Sequence, residues 1–119
     1  MKRSARTQQA KIALDQSRTD FTKAQEQIQL QYNSALSDFK QSIANYESAR
    51  KNLALAERIE NKNQIKYTEG LATSFDLRQA QLQLYASQQE VLQAKLGIIN
   101  NKAELETILN IPDVKPTNN

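Results

Sequence analysis

The stretch YTEGLATSFD, residues 67–76, contains Gly70, the only glycine in the first 96 residues, and no proline occurs before Pro112. A glycine just past a run of helix formers is the usual left-handed terminator, because without a Cβ it takes a positive φ at no steric cost. Lys62 and Lys66 in the preceding turns suit the negative end of a helix dipole. Directly behind the glycine, Thr73 and Asp76 fit the capping pattern Ser/Thr-x-x-Asp/Glu, in which hydroxyl and carboxylate each accept a free N–H of a new helix, with Ser74 as an alternative cap. The ten residues read as stop, turn and start: a helix over about 3–68, a tip over about 69–74 and a helix over about 75–110. So short a connection makes the helices antiparallel neighbours, with Leu71 and Phe75 placed to close the bend. The expected fold class is all-α, a long antiparallel α-helical hairpin of coiled-coil type whose first helix is about twice as long as the second. Residues 1–111 would form it, followed by a flexible tail over 112–119.

Hydrophobic periodicity supports the same division. Tyr32, Phe39, Tyr46 and Leu53 recur every seventh place, continued by Glu60 and Tyr67, and Ala35, Ser42, Ala49 and Ala56 follow three places after the first four. Spacings of three and four put both sets on one seam, where large beside small lets another helix approach closely. Beyond the tip the pattern returns with Leu77, Leu84, Val91, Ile98 and Leu105, followed three places later by Ala80, Ser87, Ala94, Asn101 and Ile108. Tyr85, Leu92 and Ile99 lie next to that seam and predict contact with more than one neighbour. Because the arms differ in length, the segment from about Arg3 to about Glu26 has no partner within the hairpin. Gly97 interrupts the second helix at a cost of about 1 kcal/mol against alanine, and close packing by another backbone is one reason for it.

Composition narrows the function classes. Cysteine and histidine are absent, which removes thiol nucleophiles, disulfides, the commonest general base and the commonest metal ligand. No convergent nucleophile, base or metal set stands out, so no enzyme activity, metal or cofactor is expected. Net charge is only +3, and although Lys2, Arg3, Arg6, Lys11, Arg18 and Lys23 outnumber Asp15 and Asp20, they lack the interleaved aromatics of a nucleic-acid site. With 15 Gln and 10 Asn, much of the polar surface is neutral amide, suited to helices packed side by side. No run nears the roughly 18 apolar residues of a membrane span, so this segment is not expected to insert directly, and MKRSARTQQA has no apolar signal-peptide core.

The span LALAERIENKNQIKYTEGLATSFDLRQAQLQLYASQQEVLQAKLGIINNKAELETILNIP, residues 53–112, resembles the C-terminal helical hairpin of the outer-membrane efflux proteins, the TolC-like exit ducts. The resemblance rests on A-E-R, then Y-x-x-G-L-A-T-S-F-D-L, then A-Q, then K-A-E-L-E in order, and the unequal helices fit as well. It implies a fragment of the periplasmic α-helical barrel of a Gram-negative outer-membrane protein that is a homotrimer when whole. Such ducts work with a periplasmic adaptor and an inner-membrane pump to export drugs or other substrates. The tip would line the channel entrance and dock the adaptor, through Tyr67, Gly70, Leu71, Thr73, Ser74, Asp76 and Gln79. Asp76 matches the first of two acidic positions that ring the entrance, while Gln79 stands where some members have the second and Ala72 where some have a basic locking residue. Asp76 as gate and Asp76 as helix cap are compatible, since a cap sets where the carboxylate points; Tyr67 reads as seam packing or as a gate hydrogen bond.

Two other readings remain at this level: the α-hairpin of the adaptor itself, whose arms are normally of similar length between lipoyl-like strands, and a free coiled-coil scaffold. On its own the chain should self-associate, because the seam of the longer arm would otherwise face water. Sedimentation at several concentrations tests this: the apparent mass should rise with concentration, and a constant 13.5 kDa would rule the association out.

Overall fold

A computed structural model of the chain describes residues 2–110; Pro112 and the expected tail over 112–119 lie outside the described residues. Two α-helices are present among them: α1, Lys2–Thr68, of 67 residues, and α2, Ser74–Leu109, of 36 residues. The fold is the all-α hairpin that the breaker pattern predicts, with a first helix about twice the length of the second. It divides into two compact units, Ser37–Ala103 and Met1–Leu36 with Glu104–Asn119.

Within Ser37–Ala103 the two helices face each other along the heptad seam, and burial follows the small residues. Ser42, Ala49 and Ala56 on α1 and Ala80, Ser87 and Val91 on α2 are buried, Ser87 most completely at 2% exposure. Phe39, Tyr46 and Leu53, and Leu77, Leu84 and Ile98 opposite, are only half-buried. The large residues therefore flank the line of closest approach, with Val91 the one member of the Leu77-to-Leu105 ladder that is buried. The physical reason is geometric: a pair of helices covers one side of each seam, and only a short side chain fits wholly beneath it.

Polar groups in this seam are satisfied locally. The Ser42 hydroxyl donates to the Phe39 carbonyl at 2.7 Å, the back-bond that lets serine sit in a buried helical position. The Asn101 amide donates across the hairpin to the Asp38 carbonyl at 3.3 Å. Among the described residues no buried side-chain polar atom lacks a partner. Along α1, Gln41 donates to Asn45 at 3.0 Å, and the Arg50 guanidinium lies 6.0 Å from the Tyr46 ring centre, both one turn apart. The amide-rich surface is thus knit along the helix.

Tyr85, Leu92 and Ile99 do not join the seam. All three are exposed, as are Leu82 and Leu96, and at about 100° per residue they form a second apolar stripe more than a quarter-turn from the Leu84 row. Nor is Gly97 explained by close approach of this chain's own backbone, because a Cβ there would meet nothing within 4 Å.

In the other unit, every residue from Lys2 to Gln27 is exposed, including Ile12, Leu14 and Phe21. Burial begins near the end of this segment, where Ile28, Tyr32 and Leu36 are half-buried and Ala35 is buried. On α2 the same unit has Leu105, Ile108 and Leu109 half-buried. Gln29 donates to Asn33 at 3.3 Å, continuing the amide ladder, and Thr7, Thr19 and Thr22 donate to carbonyls one turn back.

Candidate functional site

The tip is where the chain concentrates local constraint. Gly70 has φ 76°, the left-handed conformation, and no other described residue has a positive φ. Its N–H donates to the Tyr67 carbonyl at 3.1 Å, while the Leu71 N–H reaches back to the Lys66 carbonyl at 2.7 Å. These two bonds make a Schellman motif, which satisfies carbonyls that the end of α1 would leave open. Three residues later the second helix is capped. The Asp76 N–H donates to Thr73 Oγ1 at 3.1 Å, and the Thr73 N–H donates to Asp76 Oδ2 at 3.0 Å. Thr73 is therefore the N-cap, its carbonyl already accepting the Leu77 N–H at 3.1 Å, and Ser74 is the first residue of α2.

This arrangement controls the charge at the tip. The Asp76 carboxyl is held below its ordinary value of 3.8, first by the Thr73 N–H, then by the Thr73 hydroxyl, with local desolvation opposing and the Lys66 ammonium adding a smaller favourable effect. Asp76 is thus an ionised, directionally fixed carboxylate at the start of α2, where the helix dipole also favours negative charge.

Around it the side chains are open to solvent. Leu71 is 73% exposed and Phe75 65%, so neither closes the bend; the backbone bonds do that alone. Tyr67 is 46% exposed, and this chain does not bury it in the seam. Ser74 and Gln79 are exposed and Ala72 half-buried. The structure thus unites Thr73, Asp76, Tyr67, Gly70 and Leu71 through the two hydrogen-bonded motifs, and Ser74 and Gln79 lie outside them. Sequence reasoning assigned Lys66 only to the helix dipole; its second role, as acceptor for Leu71, follows from counting back five residues from the position after the glycine.

A second concave feature runs along the hairpin, lined by Asn52, Leu55, Ala56 and Ile59 of α1 and by Gln83, Ser87 and Glu90 of α2. Leu55 and Ile59, which line it, are exposed. No cluster of acidic, histidine or cysteine side chains that would hold a metal is present among the described residues, and no described helix is long and apolar enough to cross a membrane.

The family model for outer membrane efflux proteins matches residues 1–110. The chain belongs to that family. No curated protein and no solved structure matches it. Outer membrane efflux proteins are transport channels and not enzymes, and as a family they assemble as trimers and work with adaptor proteins. The match spans both helices and the tip, which favours a duct hairpin over an adaptor arm or a free scaffold.

Two measurements probe the tip. Because a Cβ at Gly70 meets nothing within 4 Å, any cost of substitution there is backbone strain alone. Gly70→Val should lower stability by about 1–3 kcal/mol and Gly70→Asn by much less, since asparagine tolerates this region; equal melting temperatures would contradict it. The second is pH dependence. A carboxylate with a depressed folded-state pKa contributes stability that is fully present above its unfolded value of 3.8 and is lost as pH falls through the lower folded value. The melting temperature of the wild type should exceed that of Asp76→Asn near neutral pH, and the gap should close below about pH 4; a gap independent of pH would show that the charge is not what stabilises the cap.

Proposed function

We propose that this chain is the periplasmic α-helical hairpin of an outer-membrane efflux duct, with its tip forming the channel entrance and the docking site for a periplasmic adaptor. The observation that carries the reading is the tip itself: a bend held by backbone and capping bonds alone, which leaves Tyr67, Leu71 and Phe75 outward beside the ionised Asp76. Apolar side chains that a fold does not use, carried on a rigid turn, suit a surface that another protein covers. Gly70, without a side chain, leaves room for a close approach.

The flanks of the hairpin fit the same role. The groove at Leu55 and Ile59 and the separate stripe at Leu82, Tyr85, Leu92, Leu96 and Ile99 give it apolar faces on more than one side. A helix apolar on two sides is suited to a closed ring of helices, in which each hairpin has neighbours left and right. Around such a ring, copies of Asp76 would come from every subunit of a homotrimer and constrict the entrance with negative charge. With Gln79 one turn on, the second acidic ring found in some relatives is replaced by a neutral amide, so the constriction depends on Asp76 alone. Export would run from an inner-membrane pump through the adaptor into this duct, with no cofactor or metal bound by the hairpin.

Site-specific photo-crosslinking in the full-length protein in cells tests the reading. A crosslinker at Leu71 should capture a periplasmic protein that itself carries an α-hairpin flanked by a lipoyl-like domain, whereas one at Leu55 should capture another copy of the duct. Adaptor capture from Leu55 and none from Leu71 would overturn the docking assignment.

A further inference from the structure

We propose that the groove beside the hairpin seam is a transit site for amphiphilic organic cations on the luminal wall of the duct. The inference rests on the entrance reading above and adds to it a class of cargo and the residues that meet that cargo beyond the tip.

The groove lies wholly within Ser37–Ala103 and measures about 280 Å³, the scale at which small-molecule pockets begin. Its floor is hydrocarbon, from Leu55 and Ile59, 52% and 43% exposed, and the buried Ala56. Its rim carries the amides of Asn52 and Gln83, and of all the residues that line it Glu90 alone is charged. One carboxylate beside apolar side chains, with no basic residue lining the groove to neutralise it, complements a positive charge attached to hydrocarbon. A metal ion fits poorly, because a single exposed carboxylate does not repay the loss of its water shell, and no cluster that would hold one is present among the described residues. A bulky organic cation holds its water weakly and buries its hydrocarbon against Leu55 and Ile59.

The heptad connects this groove to the entrance. Asp76, Gln83 and Glu90 stand seven residues apart on α2, so they form one column that drifts by only about 20° at each step. If Asp76 faces the channel, Gln83 and Glu90 face it too. On α1, Leu55 lies at the edge of the groove and Ile59 about 40° further round the helix. The neighbouring copy proposed at Leu55 then walls one side and leaves the side at Ile59 and Glu90 open to the lumen. An open groove with an exposed carboxylate holds its cargo weakly, as a site that must release it onward requires.

Single-channel conductance of the full-length duct in planar bilayers supplies the test, with tetraphenylphosphonium and tetraphenylborate as probes of one shape and opposite charge. Added on the entrance side, tetraphenylphosphonium should block the current at concentrations where tetraphenylborate does not. Glu90→Gln should raise its half-block concentration about three- to fivefold, the ratio for one solvent-exposed ion pair. Ile59→Ser, which changes no charge, should raise it as well. This chain has no cysteine of its own, so a charged, water-soluble thiol reagent reads an introduced one: modification of Asp76→Cys and of Gln83→Cys should each change the conductance. A change through Asp76→Cys but none through Gln83→Cys puts the groove off the lumen and overturns this proposal alone. Equal block by the two probes, or half-block unmoved in Glu90→Gln or in Ile59→Ser, overturns the cation site and leaves the entrance reading standing. Conductance indifferent to modification of Asp76→Cys overturns the entrance reading, and the proposal with it.

Discussion

Five residues, 69–73, have to end one helix, turn the chain back and begin another, and the hydrogen-bonding demand of that reversal governs the rest of the hairpin. Each helix end leaves backbone groups without intrahelical partners, and at an exposed tip water would satisfy them at the expense of a defined geometry. Here they are met internally. Left-handed Gly70 lets the Leu71 and Gly70 amides fold back onto Lys66 and Tyr67, and Thr73 and Asp76 exchange bonds at the start of α2. With both ends satisfied, the bend needs no apolar contact to hold it. That leaves Leu71 and Phe75 on the outside, the surface proposed above for adaptor docking.

The same economy of side chains marks the seam. Ser42, Ala49, Ala56, Ala80 and Ser87 are buried because they are short, and short residues bring two backbones close without the cavity a mismatched large pair would leave. The tyrosines, phenylalanine and leucines at the alternate positions then spread over the flanks, half-covered. A hairpin made this way buries its short seam residues and still presents apolar surface on its sides, a combination suited to an element whose neighbours come from other hairpins. Membership in the outer membrane efflux protein family agrees with that physical character.

The tip was legible in the sequence almost completely. One glycine among helix formers, followed by a threonine and an aspartate three apart, specifies local backbone bonds, and local bonds depend on few residues. Thr73 and not Ser74 as the cap is the detail that the three-residue spacing to Asp76 already favoured. Leu71 and Phe75 were misread because their position beside the turn suggested packing, whereas the turn closes through its amides. Tyr85, Leu92 and Ile99, set one residue on from the seam and so rotated by about 100° on the helix, are exposed, and the hairpin itself does not cover them.

Sequence by itself determined the class of fold, the break, the unequal arms and the heptad phase, since each follows from helix propensity, capping chemistry and a seven-residue repeat, which act over a few turns at most. It also excluded thiol and imidazole chemistry, because those atoms are absent. Only the tertiary structure decided which members of the repeat are buried and which apolar residues stay outward. Those outcomes depend on how near one helix lies to the other. That distance is set jointly by side chains far apart in the chain, and no pattern within either helix alone contains it.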